Sequence, residues 1–66
     1  MDQETFNLSI RKFLKMVGVN SQREIEQAVQ KAQAKLGGTD AVPVKMTLEI
    51  PSLGVKVPFE GEIKLK

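Results

Sequence analysis

Sixty-six residues with ten basic and eight acidic side chains, a net charge of +2 and no cysteine can hold one core at most, and exclude disulfides, thiolate chemistry and zinc sites built on sulfur. The absence of histidine, tyrosine and tryptophan removes the side chain best suited to proton transfer near neutral pH and the commonest nitrogen ligand for metals. The remaining charges are interspersed in sign, so neither an acidic tail nor a basic tail is present and the electrostatic footprint for nucleic acid is weak.

The opening Met1-Asp2-Gln3-Glu4 lacks the basic and apolar regions of a signal peptide, and no apolar run exceeds two residues. A cytoplasmic protein with no membrane partner is the expectation. Catalytic, cofactor-binding and metal-ligating residues are expected to be none.

From Glu4 to Val17, Phe6, Ile10, Phe13, Leu14 and Val17 fall in one sector about 100° wide, which predicts an amphipathic helix over 4–17. Asp2 and Glu4 at its start, with Arg11, Lys12 and Lys15 toward its end, complement the macrodipole. Gly18 is expected to stop it as a left-handed cap residue. Ser21-Gln22-Arg23-Glu24 then has the form of a capping box, with the serine hydroxyl accepting from one amide and the glutamate returning to another. The helix it would open, over 22–36, carries Ile25, Ala28, Val29, Ala32 and Leu36 inward and ends at Gly37-Gly38.

Beyond this point the period changes to two. Val44, Met46, Leu48 and Ile50 alternate with polar residues, as do Val55, Val57, Phe59, Ile63 and Leu65, predicting strands over 43–50 and 55–66. A loop at Pro51-Ser52-Leu53-Gly54 sets Ile50 opposite Val55, and hence Lys45 opposite Glu60 and Glu49 opposite Lys56. If Ile50 and Val55 form a hydrogen-bonded pair, Pro43 and Pro58 both take sites where no ladder bond is lost, and each deprives an outer edge of a donor. A rival reading turns the chain at Glu60-Gly61-Glu62 into a third strand. It ranks second, because a three-residue hairpin loop places its glycine last.

These elements predict one small α+β domain, a two-helix hairpin packed on a long antiparallel β-hairpin in the order ααββ. Nineteen apolar side chains are expected to point inward, five from each helix and nine from the strands.

Leu8 stands out. On the helical wheel it lies nearly opposite Phe6 and Ile10, among Arg11, Lys12 and Lys15, so the polar face of the first helix carries an apolar residue. Leu8, Arg11, Lys12 and Lys15 form the candidate interaction surface, suited to an unidentified protein partner or to a weak homodimer. Leu53 and Met16 are two further apolar residues without a core assignment. Glu24 and Glu26 do not make a catalytic pair, since residues two apart on a helix point away from each other.

Two helices joined by Gly18-Val19-Asn20-Ser21 and followed by a hairpin also have the order of a winged helix-turn-helix. The second helix would then meet phosphates with Gln22, Arg23, Glu24, Glu26 and Gln27, two carboxylates against a single early cation, so this is the alternative reading rather than the first.

The stretch from Glu4 to Lys15, the following Val17 to Glu26 and the strand Val44 to Pro51 resemble a family of short, uncharacterised bacterial proteins classed as a domain of unknown function. The resemblance covers nearly the whole chain, with Gln30 to Val42 as the region of variable length, and implies a soluble bacterial protein. It transfers no site residue. A non-enzymatic interaction or structural module is the function expected.

Overall fold

In the computed structural model, which describes residues 1–66, the elements are α1 (Gln3–Lys31), α2 (Gln33–Leu36), β1 (Ala41–Ile50), a 3-10 turn (Pro51–Leu53) and β2 (Val55–Lys64). The class is α+β and the order ααββ. The chain divides into two compact units, Met1–Leu36 and Gly37–Lys66.

Within the helical unit the division between helices is not where the local signals put it. The expected pair over 4–17 and 22–36 is instead one helix of 29 residues, and only the terminal four-residue turn α2 stands apart from it. Gly18 is an interior helical residue without a positive φ, and Ser21 caps nothing.

The physical reason lies in the sizes of the competing effects. Glycine in a helix interior costs about 1 kcal/mol relative to alanine, and a serine cap returns about 1 kcal/mol. A break would orphan up to four amides and four carbonyls, each bond worth about 0.5–1.5 kcal/mol net. Between Gln3 and Lys31 there is no proline to force it. The apolar pattern agrees with continuity, because Ile10 and Ala28, and Leu14 and Ala32, each stand eighteen residues apart, five turns at 3.6 residues per turn.

The helix opens on Asp2. Its carboxylate accepts from the Glu4 amide at 3.1 Å and from the Thr5 hydroxyl at 2.7 Å, satisfying one of the donors that a helix start leaves free. At the other end Ala32, with φ −101° and ψ 12°, gives its amide to both Ala28 at 3.1 Å and Val29 at 3.2 Å. The helical geometry resumes for Gln33–Leu36. Nothing in the sequence around Ala32, which has neither glycine nor proline nearby, requires this interruption. Gly38, at φ 85°, then ends the helical segment.

The hairpin follows its sequence closely. Ile50 pairs with Val55, Leu48 with Val57, Met46 with Phe59, Lys45 with Glu60 and Glu49 with Lys56. The register runs unbroken through Val44–Gly61 to Ala41–Lys64, so Glu60-Gly61-Glu62 lies inside β2 and the sheet has two strands. Relative to the expected 43–50 and 55–66, β1 begins earlier and β2 ends earlier, because Ala41 and Val42 find partners in Lys64 and Ile63.

One bond beyond the strands sets the ladder's phase. The Leu65 amide donates to the Asp40 carbonyl at 2.7 Å, and pairs alternate between bonded and non-bonded along an antiparallel ladder. Asp40–Leu65 and Ile50–Val55 therefore share the bonded phase, while Pro43 and Pro58, opposite Glu62 and Thr47, occupy non-bonded sites. The turn closes through the Gly54 amide, which donates to Pro51 at 3.2 Å. Gly54 itself sits at φ 65°, ψ 25°, a left-handed conformation that costs a residue bearing a Cβ about 1–2 kcal/mol.

The expected inward side chains are not enclosed. No residue of the chain is buried. Val17, Ile25, Val29, Ala32 and Leu36 on the helical unit, and Val44, Leu48, Ile50, Val55, Ile63 and Leu65 on the hairpin, are half-buried, whereas Phe6, Ile10, Phe13, Leu14, Ala28, Met46, Val57 and Phe59 are exposed. Periodicity had placed these residues on common faces correctly. It could not supply the second layer that a face needs before it becomes a core.

Candidate functional site

Because α1 is one unbroken helix, the residues singled out from sequence share one rigid element. Leu8 has Arg11 three residues, Lys12 four residues and Lys15 seven residues ahead of it, all within the spacing that places helical neighbours on one side. All four are exposed. Thr5, Leu8, Ser9 and Lys12 line a shallow depression on this side.

The electrostatics of this face are simple. The only ion pair in the chain joins Lys66 to Asp40 at 3.9 Å, and no carboxylate lies within pairing distance of Arg11, Lys12 or Lys15. Glu4 and, eighteen residues beyond Leu8, Glu26 are the acidic residues on the same side of the wheel. An apolar anchor with unpaired cations around it can dock on an acidic surface that has an apolar pocket.

The hairpin's polar face differs from expectation in one respect. Lys45 and Glu60, and Glu49 and Lys56, stand opposite each other in the ladder, but neither pair closes to ion-pair distance. Exposed pairs gain little Coulomb energy and lose side-chain entropy when they close.

The carboxyl of Asp2 belongs to the helix cap. Its pKa lies below the ordinary 3.8, first because the Thr5 hydroxyl donates to it and then because the amides of Thr5 and Glu4 do. This is a helix cap rather than a reactive carboxylate. No three acidic side chains converge in a way that could hold a metal ion, and no helix is long and apolar enough to cross a membrane.

Leu8 was distinguished in the sequence as an apolar residue on a wet face, but in the structure it has company. Leu8 is 55% exposed, and Phe6 at 45%, Phe13 at 50% and Leu14 at 57% are equally open on the opposite face. Sequence reasoning counted those three as core. The signal that could have found them is the in-phase pattern across Gly18, since a continuous helix has no neighbouring helix folded back to cover its own stripe.

No curated protein and no solved structure matches the chain. A family model does, from residue 1 to residue 66, as the resemblance of its helical and strand segments had implied. That match, spanning both the helical unit and the hairpin, assigns the chain to the Family of unknown function (DUF6494).

Proposed function

We propose that the protein is a non-enzymatic protein-interaction or structural module of the bacterial cytoplasm, and that Leu8 with Arg11, Lys12 and Lys15 is the surface it presents to a protein partner. The observation that carries this reading is the exposure of large apolar side chains along α1 without a single buried residue behind them, on a chain that has neither cysteine nor histidine. The cations around Leu8 favour a partner with acidic margins.

The helix-turn-helix alternative needs a break between Val17 and Gln22, and α1 is continuous through those residues. That continuity supports the interaction reading over duplex binding. Affinity capture from the native cell with wild type and Leu8→Glu as parallel baits tests it. A protein retained by the first and lost with the second, both baits having the same circular dichroism, is the expected result. Retention indifferent to Leu8→Glu overturns this surface, and submicromolar duplex binding near physiological salt, with chemical-shift changes centred on Gln22 to Gln27, overturns the class.

A further inference from the structure

The opposite face of the same segment has a different character, and charge separates the two. At about 100° per residue, Phe6, Ile10, Phe13, Leu14 and Val17 make one stripe whose neighbours on the wheel between residues 3 and 20 are Gln3, Asn7, Ser9 and Asn20, all uncharged; the cap residue Asp2 and Glu24, eighteen residues past Phe6, lie on the same side beyond those bounds. Glu4, Arg11, Lys12 and Lys15 belong to the other half of the helix. When a patch meets its own copy across a twofold axis, any net charge on it meets itself. Over the same residues 3–20 the Leu8 face, with three cations against one carboxylate, would repel a second copy. The stripe would not, and depletion of charge with enrichment of aromatic side chains marks the centre of protein interfaces.

From this contrast we infer that the Phe6-to-Val17 stripe is the contact surface for a second copy of this chain, the two α1 helices packing antiparallel. Antiparallel packing brings the positive end of each helix dipole to the negative end of the other, and it lets one patch serve both sides.

Area agrees with a modest dimer. Phe6, Ile10, Phe13 and Leu14 remain 41–57% exposed, whereas every half-buried residue of the helical unit lies at Val17 or later. With roughly 150–250 Å² per aromatic side chain when fully covered, the four leave on the order of 400 Å² on each copy. Two copies and their polar rims approach the low end of specific interfaces, about 1,200 Å² in total. The association is therefore reversible. It goes beyond the proposed partner surface and uses the reverse side of the helix, so each can fail without the other.

Sedimentation of the full chain from micromolar to millimolar concentration, at low and at high salt, tests the inference with two variants. Wild type is expected to pass from monomer to dimer with little dependence on salt. Phe13→Ala, which improves helix propensity, should weaken dimerisation at least tenfold while circular dichroism shows the helix retained, and Leu8→Glu should leave it within about twofold. A wild type that stays monomeric at millimolar concentration overturns the inference. So does a dimer that survives Phe13→Ala, or one weakened tenfold by Leu8→Glu as well, since the contact would then not be the stripe. Loss of the cellular partner with Leu8→Glu is a separate readout, and leaves dimerisation unaffected.

Discussion

The hairpin and the helical segment respond differently to the same kind of local reasoning. In β1 and β2 several signals constrain one another: a period of two, a loop that needs Gly54 in a left-handed conformation, and two prolines that must both avoid the bonded phase of the ladder. A slip of one residue would turn every apolar side chain to the wrong face and move both prolines onto bonded sites. Only one register satisfies all of them. In α1 the signals are separate and small. Gly18, Ser21 and Glu24 each suggest a break, but each is worth about 1 kcal/mol or less, and the helix continues through all three.

That contrast breaks most sharply at Gly18. Proline there removes an interior amide and collides with the preceding turn, so Gly18→Pro should destabilise the helical unit by about 3 kcal/mol or more, with a large loss of far-ultraviolet helical signal. Were residue 18 the left-handed cap between two helices, the same change would strain the cap but confine the loss of helical signal to the turn beside it.

Alanine at two glycines should act in opposite directions. Gly18 has helical φ and nothing within 4 Å of where a Cβ would stand, whereas Gly54 is equally open but holds φ at +65°. Gly18→Ala is expected to stabilise the helix by about 0.8–1.0 kcal/mol, and Gly54→Ala to destabilise the hairpin by about 1–2 kcal/mol. Thermal unfolding of the two variants, followed by the helical signal for the first and by cross-strand contacts between Ile50 and Val55 for the second, measures both.

Ser21→Ala sharpens the point at smaller scale. As the cap of a second helix, Ser21 would be worth about 1 kcal/mol, and its loss would destabilise. Inside a continuous helix the substitution exchanges a weaker helix former for the best one, and stability should rise by about 0.5 kcal/mol. The sign alone, read from denaturant midpoints, decides between the two.

The smallest effect belongs to the real cap. Since the folded pKa of Asp2 lies below its ordinary 3.8, the ionised carboxylate supports the helix start fully above that value, and the support is lost as pH falls through the lowered pKa. Amide exchange at Gln3 to Phe6 should therefore quicken on acidification, and Asp2→Asn, which caps without titrating, should abolish that dependence.

By itself, the sequence determined the α+β class, the order of elements, the hairpin register to the residue, and the helical face on which each apolar side chain of α1 stands. These follow from period and from turn chemistry, which act over a few residues and leave few alternatives. It also marked Leu8, Arg11, Lys12 and Lys15 as one surface, because they share a single stretch of helix whether or not the helix later breaks. Only the tertiary structure decided that α1 continues through Gly18 and Ser21, and that Phe6, Phe13 and Leu14 therefore stand open instead of forming a core. A helical hairpin exists only if its two stripes gain more by covering each other than the backbone loses at the turn. That balance depends on contacts between residues far apart in the chain, which a local pattern does not encode.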